Sequence, residues 1–346
     1  MGQQSGSAAV EKGRLFLRRL IVIPVLGMML AAYVATFPGY PVNPSDSVAL
    51  TVAIPAGAGT GQIARLLEQN RLIKSSIYFR GLARLRGLDG KLQAGEYNLS
   101  RDMSAAQILQ KLVQGEVVAY PVTFPEGYTV QQIAAKLEEA GFTTAESFLA
   151  AARDDSVAPP YPNPKSGVKD SMEGYLFPDT YHLPRTIDNQ AIVEILLNRF
   201  RSVMTPEWER RAAELGYTIP EIITIASMVE GEAKVPEERG VIAGVIYNRL
   251  RAGMRLQIDA TVLYALPERK TVVLTSDLEV DSPYNTYRNP GLPPGPINNP
   301  GKEAIYAALY PEETPYFYYV ARKDGSHVFS RTLAEHNKAR AQVRAE

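Results

Sequence analysis

The segment best suited to acid–base chemistry is the apolar stretch that carries Glu230. Glu230 follows Ile223 by seven residues and Ala226 by four, the spacing that places side chains on one face of a helix. The sequence therefore predicts a carboxyl group on a buried helix face. Burial among apolar groups penalises the charged form, raises the pKa of the carboxyl and lets it donate a proton near neutral pH. Glu230 is the candidate general acid.

Two questions about Glu230 stay open on residue chemistry alone. A buried glutamate is often part of a structural ion pair, and Arg239 and Arg249 are the candidate partners here. A hydrolytic glycosidase also needs a second carboxylate across the scissile bond, and Glu232 and Asp259 are the candidates for that position.

Polar and aromatic residues further along the chain have the chemistry of a sugar site. Gln257 and Asp259 alternate along a predicted extended segment, so their side chains point to one side. The segment Tyr284–Tyr287 offers aromatic faces and an amide group. Asp259 has an alternative role as a turn cap, and the tyrosine segment has one as a rigid loop over a core. The candidate substrate-binding residues are Glu232, Gln257, Asp259, Tyr284, Asn285 and Tyr287.

Other classes of function are poorly supported. The chain has 37 basic and 37 acidic residues, whereas nucleic-acid binders usually have a net basic surface. It has no cysteine, and its three histidines lack metal-ligand spacing. The glycines at 57, 59 and 61 do not match a dinucleotide-binding turn, because the third falls one position early. We expect no metal, no cofactor and no nucleic-acid partner.

These residues belong to a C-terminal unit, residues 219–346, with its own pattern of elements. A helix is predicted from Ile219, and a second runs from Pro236 to Arg251. Arg255 to Tyr264 is predicted to be extended. A hairpin is predicted around Asp324-Gly325, followed by a final helix near Thr332.

An internal repeat with an offset of 70 residues precedes this unit. Residues 52–57 (VAIPAG) match residues 122–127 (VTFPEG), and 62–68 (QIARLLE) match 132–138 (QIAAKLE). Each copy predicts a short strand, a Pro/Gly turn and a helix. The sequence thus predicts two related α+β units, residues 48–118 and 119–218, with a Pro-rich loop inserted at 154–171 in the second.

The N-terminal region predicts a membrane anchor. Residues 20–37 form an uncharged run of 18 residues, and four basic residues lie within the eight positions before it. This length is at the short end for a spanning helix, and the preceding charges place residues 1–19 in the cytoplasm. A cleavable signal peptide is the main alternative. The expected location is the cytoplasmic (inner) membrane, with a single span and the remainder of the chain extracytoplasmic or periplasmic.

Taken together, the motifs closely resemble the endolytic murein transglycosylases of the MltG (YceG-like) family. The resemblance covers nearly the whole chain. The most specific segments are Ala226–Glu232 (ASMVEGE), Tyr247–Leu250 (YNRL), Gly253–Val262 (GMRLQIDATV), Tyr284–Tyr287 (YNTY), Gly291–Ile297 (GLPPGPI) and Glu335–Lys338 (EHNK). One departure is Ala260, where the family usually has proline between Asp259 and Thr261.

The resemblance implies a reaction and its residues. The family's catalytic glutamate corresponds to Glu230, and the first exported unit resembles a LysM glycan-binding module. The enzyme would cleave the MurNAc-β-1,4-GlcNAc bond without water and leave a 1,6-anhydroMurNAc end, with Glu230 acting first as acid and then as base. Gln257 or Asn285 would assist. Such an enzyme would act on nascent glycan strands beside peptidoglycan synthases and terminate elongation.

The fold expected from the sequence is α+β, with an N-terminal transmembrane helix, two related strand–helix units and a C-terminal α+β catalytic domain. Two alternative functions stay open. The chain could be a non-catalytic, membrane-anchored peptidoglycan-binding scaffold, or a hydrolytic muramidase that uses Glu230 with Asp259.

Overall fold

The computed structural model describes residues 27–29, 36–154, 156–268 and 270–345. The predicted cytoplasmic tail and most of the predicted membrane segment lie outside the described residues. Within the described part of the chain, no helix is both long enough and apolar enough to cross a bilayer. The anchor at residues 20–37 therefore stays a prediction from the sequence.

The chain forms two compact units. One contains the residues up to Ala119 together with Pro184–Thr186, and the other contains Tyr120–Leu183 and Ile187–Glu346. The fold is α+β with small two-stranded sheets, as the sequence predicts.

In residues 50–114, the first unit forms a two-stranded antiparallel sheet packed against three helices. Leu50 pairs with Leu99 and Ile54 with Gly95. Alternate residues of the first strand, Val52 and Ile54, point into the core, which is the period-two pattern of a half-buried strand. The elements are β1 (Leu50–Ile54), α1 (Thr60–Gln69), α2 (Ser76–Leu85), β2 (Gly95–Leu99) and α3 (Ala105–Gln114).

The second copy of the repeat has the same order of elements. Its strands β3 and β4 pair with each other. The inserted loop at 154–171 lies between α5 and β4, where the described residues form neither helix nor strand. The elements are β3 (Ala119–Thr123), α4 (Val130–Glu139), α5 (Ala145–Ala152), β4 (Thr180–Pro184) and α6 (Asn189–Val203).

The described residues from Pro206 onward add six α-helices and a hairpin. The hairpin, centred on Asp324-Gly325, pairs Tyr318 with Ser330 and Ala321 with His327, as the sequence predicts. Short 3-10 turns occur at Pro236–Glu238 and Thr275–Glu279. The elements are α7 (Pro206–Leu215), α8 (Ile219–Glu232), α9 (Arg239–Arg251), α10 (Asp259–Ala265), α11 (Lys302–Leu309), β5 (Tyr318–Ala321), β6 (His327–Ser330) and α12 (Leu333–Ala345).

One prediction for this segment is wrong. Arg255 to Tyr264 is expected to be extended, but helix α10 begins at Asp259. Thr261, Val262 and Tyr264 are buried on this helix. The carboxylate of Asp259 in its first turn interacts favourably with the positive end of the helix dipole and so stabilises the helix. Asp259 is the first residue of this helix, and Ile258 occupies the N-cap position.

Helix α8 lies in the middle of the second compact unit, Tyr120–Leu183 with Ile187–Glu346. Every residue from Ile222 to Val229 is buried, so the helix is enclosed on all sides. Gly174 lies against it so closely that an added Cβ would come within 2.7 Å of Ile223 Cγ2. The hydrophobic core runs from Val122 to Leu309. Residues 119–218 and the segment after them therefore share one core, which crosses the boundary that the sequence places at 218–219.

The buried carboxyl group of Glu173 links the start of helix α4 to the segment just before α11 by hydrogen bonds. Glu173 is fully buried, and its Oε1 accepts hydrogen bonds from Val130 N at 3.1 Å and Asn299 Nδ2 at 3.2 Å. Asn299 in turn joins the turn after β3, because Gly127 N donates to Asn299 O and Asn299 N donates to Tyr128 O, both at 2.9 Å. Burial, reinforced by the nearby Asp170 charge, raises the pKa of Glu173 to about 8.

Glu173 should therefore make stability depend on pH. Its pKa is higher in the folded chain than its ordinary value of 4.5, so its contribution is complete below pH 4.5 and is lost as pH rises towards 8. We expect the melting temperature of the wild type to fall between pH 5 and pH 8 and Glu173→Gln to remove part of that fall. About 1 kcal/mol corresponds to roughly 2–4 °C for a domain of this size.

Thermal unfolding at both pH values provides the measurement. Glu139→Gln, at a carboxyl with a 71% exposed side chain, is the matched control and should keep the wild-type slope. Equal slopes for wild type and Glu173→Gln would contradict the prediction.

Candidate active site

Glu230 lies in the last turn of α8, where the helix leaves the core. Its side chain is only 8% exposed. Gly301 N donates a hydrogen bond to Glu230 Oε2 at 3.1 Å. Arg239 Nη2 lies 4.0 Å from Oε1. One carboxyl oxygen is thus held by a backbone donor, and the other has only a distant cation beside it.

This carboxyl lies in the wall of a cleft with a volume of about 670 Å³, which we call the Glu230 cleft. Its walls come from the turn after β3, from α4, from the end of α8 and from α10. The lining residues are Glu126, Gly127, Thr129, Gln131, Gln132, Ala135, Lys169, Glu230, Gly231, Ala233, Lys234, Ala260, Leu263, Tyr264, Leu266, Pro267, Lys270, Ile297 and Asn298.

The surroundings of Glu230 favour its protonated form. Burial is the largest influence and raises the pKa of Glu230, and the Glu126 carboxylate raises it further. The Gly301 hydrogen bond and the charges of Arg239 and Lys234 lower it, but the net direction is upward. A carboxyl with a raised pKa in an open cleft can act as a general acid.

The alternative that Glu230 forms a structural ion pair is met only by a long contact with Arg239. At 4.0 Å, Arg239 lies at the outer limit of a salt bridge. The Arg249 guanidinium hydrogen-bonds to other groups, donating to Phe317 O at 2.6 Å and to Leu256 O at 2.5 Å. Glu230 is therefore not neutralised by a close arginine.

Four of the candidate substrate-binding residues meet around a second cavity of about 510 Å³, which we call the Tyr287 cavity. Glu232, Gln257, Asp259 and Tyr287 all line it. Tyr287 Oη donates to Asp259 Oδ1 at 2.6 Å. Burial, with the Asp259 charge, raises the pKa of Glu232, whose carboxyl accepts a hydrogen bond from Tyr319. The remaining lining residues include Arg249, Tyr318, His327, His336 and Arg340.

Helices α8 and α10 make a tight contact at the Glu230 cleft, which Gly231 and Ala260 both line. A Cβ on Gly231 would lie 2.8 Å from Ala260 Cβ, so this contact requires glycine. Glu230 lines one cavity and Asp259 the other. Asp259 does not share a cavity with Glu230, as the second carboxylate of a hydrolase would.

Tyr284 and Asn285 line neither cavity. Asn285 is fully buried, and its Nδ2 donates to Leu278 O at 2.8 Å and to Val280 O at 2.9 Å. Tyr284 is 2% exposed, and its hydroxyl accepts a hydrogen bond from Lys169 N. Their polar atoms hold the loop in place, as in the loop-over-core alternative, and are not presented to a substrate in this structure.

Sequence reasoning named Arg239 as a neighbour of Glu230 but missed Glu126 and Gly301. Glu126 and Gly301 lie 104 and 71 positions away in the chain, and helix spacing cannot relate them. The internal repeat held a signal for Glu126, because the matching position in the first copy is Ala56. Among the described residues, no three His, Cys, Asp or Glu side chains are arranged to hold a metal ion.

Known proteins resemble this chain over most of its length. An endolytic murein transglycosylase from Bacillus subtilis (strain 168) is 37% identical over 313 residues, which cover 87% of this chain and 86% of that protein. An endolytic murein transglycosylase from Streptococcus pneumoniae (serotype 2, strain D39) is 32% identical over 326 residues, which cover 86% of this chain and 59% of that protein.

A solved structure gives the same result. The crystal structure of a yceG-like protein from Listeria monocytogenes superposes with a TM-score of 0.59 at 37% identity, covering 84% of this chain and 98% of that one. The model of the YceG-like family matches residues 52–342. This chain belongs to the YceG-like family.

Proposed function

We propose that this chain is an endolytic murein transglycosylase, a lyase that cuts peptidoglycan glycan strands with Glu230 as its acid and base. The observation that carries the proposal is the position of Glu230, a nearly buried carboxyl with a raised pKa in the wall of an open cleft. The names of the relatives from Bacillus and Streptococcus support the same activity.

The proposed reaction needs one carboxyl in two protonation states. Glu230 gives its proton to the glycosidic oxygen between MurNAc and GlcNAc, and the C1–O bond breaks. The resulting carboxylate takes the proton from the 6-hydroxyl of the same MurNAc as that oxygen bonds to C1. The products are a 1,6-anhydroMurNAc end and a free GlcNAc 4-hydroxyl. No water is consumed, and Glu230 regains its proton.

The hydrogen bond from Gly301 suits both halves of this cycle. It occupies Oε2, so the transferable proton is favoured on Oε1. When Glu230 is charged, the same N–H donor stabilises the carboxylate. Burial then favours uptake of the proton from the sugar hydroxyl, because it penalises the charge.

The Tyr287 cavity is proposed as a binding site for a part of the strand remote from the cut. Its tyrosine rings suit stacking on sugars, and Gln257, Asp259 and Glu232 offer hydrogen-bonding groups. Binding away from the reacting bond can be used to orient it.

The remaining expectations from the sequence concern the surroundings of the enzyme. We propose that residues 20–37 anchor it in the cytoplasmic membrane with its catalytic part extracytoplasmic, where it ends nascent strands beside synthases. The unit at 48–118 is proposed as a LysM-like glycan-binding module. In its support, the turn Pro55–Ala58 and helix α1 line a cavity of about 430 Å³.

Replacing Glu230 tests the reaction directly. Glu230→Gln keeps the shape of the side chain but cannot cycle a proton, so we expect strand cleavage to fall about 10²–10⁴-fold, the usual contribution of a general acid–base group. The full chain is incubated with uncrosslinked glycan strands, and the products are identified by mass spectrometry.

Each product class has one meaning in this experiment. AnhydroMurNAc ends made by the wild type alone support the proposal. Reducing MurNAc ends would indicate the hydrolase that uses Glu230 with a second carboxylate. Absence of both ends would leave the non-catalytic scaffold.

The Tyr287 cavity has a separate test. Tyr287→Phe removes the hydroxyl that donates to Asp259, and we expect KM for glycan strands to rise about threefold to tenfold, as for one lost hydrogen bond, while kcat changes little. Steady-state cleavage kinetics supply both constants. Tyr306→Phe, at a surface tyrosine that is 49% exposed, is the control, and an unchanged KM for Tyr287→Phe would remove this cavity from the binding site.

A further inference from the structure

Glu126 contributes a second carboxylate to the Glu230 cleft. It lies in the turn after β3, and its side chain is 46% exposed. Its Oε2 is 3.9 Å from Arg239 Nη2, and the same nitrogen is 4.0 Å from Glu230 Oε1. One guanidinium nitrogen therefore lies between two carboxylates and is close to neither. Arg239 itself is 17% exposed, and its Nε has no hydrogen-bond partner among the described residues.

The turn does not need this carboxylate in order to fold. In the first copy of the repeat, the equivalent residue is Ala56. The glycines that follow have nearly the same φ, 74° at Gly57 and 77° at Gly127. Both turns are also closed by the same backbone hydrogen bond, Ala58 N to Pro55 O at 3.2 Å and Tyr128 N to Pro125 O at 3.3 Å. A carboxylate is present only in the copy that faces Glu230.

Glu126 also packs against the backbone that holds Glu230. A Cβ built on Gly301 would overlap the Glu126 carboxyl, so the carboxyl lies directly against the backbone of Gly301. Gly301 is the residue whose N–H donates to Glu230 Oε2. The two carboxyl groups thus have two neighbours in common, the Arg239 guanidinium and the Gly301 backbone.

We propose that Glu126 is a positioning residue for this reaction, which shares Arg239 with Glu230 and so limits the positive charge that the catalytic carboxyl experiences. The inference rests on the proposed function of Glu230 and adds a residue to it. Arg239 alone would stabilise the Glu230 carboxylate and weaken it as an acid. Glu126 offsets that charge, so that Glu230 keeps its proton until the glycosidic oxygen takes it.

The other charges near Glu230 do not replace Glu126. Lys234 and Arg239 both lower the pKa of Glu230, and Glu126 is the acidic side chain that raises it. Two further lysines line the cleft. Lys169 donates to Tyr264 O at 3.0 Å, and Lys270 pairs with Asp277 at 2.6 Å. Removing the charge of Glu126 therefore leaves Glu230 among cations.

The first experiment measures the proton affinity of Glu230 without using activity. In the full chain labelled with ¹³C at glutamate Cδ, the Glu230 resonance is assigned by its loss in Glu230→Gln and followed through a pH titration. We expect Glu126→Gln to lower the pKa of Glu230, Arg239→Gln to raise it, and the double variant to lie between them. An unchanged Glu230 titration in Glu126→Gln overturns the proposal.

The second experiment measures the pH profile of kcat/KM for strand cleavage. Cleavage by Glu126→Gln should begin to fall at a lower pH than in the wild type, because Glu230 loses its proton earlier, and should approach the wild-type value in acid. Glu126→Ala copies Ala56 and should behave alike. Loss of activity by the same factor at every pH would show a merely structural role and overturn the proposal. Glu146→Gln, on the exposed face of α5, is the control.

Failure of this inference can be told apart from failure of the proposed function. If the wild type releases no anhydroMurNAc ends, the proposed function is wrong, and the NMR titration still decides whether Glu126 acts on Glu230. If the wild type cleaves strands and neither titration nor profile moves in Glu126→Gln, only the role of Glu126 is wrong.

Discussion

Helix α8 is buried around its whole circumference from Ile222 to Val229, and the second compact unit of the protein is arranged to cover it. No single layer of structure can bury such a helix, so elements from both the second repeat copy and the C-terminal segment pack around it. The polar end of the helix emerges where this cover is incomplete. Glu230 therefore lies at the border between core and solvent, where a carboxyl is sufficiently desolvated to hold a proton and still open to a substrate.

The pKa of Glu230 at this border is set by influences that raise it and influences that lower it. Burial and Glu126 favour the neutral form of Glu230, whereas Gly301, Arg239 and Lys234 favour the charged form. The proposed reaction, in which Glu230 is an acid in one step and a base in the next, needs this balance, because a large bias either way would block one step. Glu173 shows the contrast. It is fully buried, and its hydrogen bonds link Val130 to Asn299. With a pKa of about 8, it is mainly neutral at pH 7.

Duplication of the strand–turn–helix unit explains how the cleft is built. Both copies keep the Pro-x-Gly turn and its closing hydrogen bond. In the first copy, the turn and its helix line a cavity of their own. In the second copy, the corresponding turn and helix form a wall of the Glu230 cleft. The two turns thus have the same backbone shape but line different cavities, and the residue at the matching position is Ala56 in one and Glu126 in the other.

Much of this protein followed from its sequence alone, because local pattern determines local structure. The repeat, the hairpin at Asp324-Gly325 and the burial of Glu230 on α8 rest on spacings that a chain carries in itself. The start of α10 at Asp259 was missed, since a seven-residue helix has too few turns for a clear period. Tertiary structure decided the rest. It placed Asp259 and Glu232 on a different cavity from Glu230, buried Asn285, and brought Glu126, Arg239 and Gly301 together. These residues are far apart in the chain, and only the requirement to enclose α8 sets their distances.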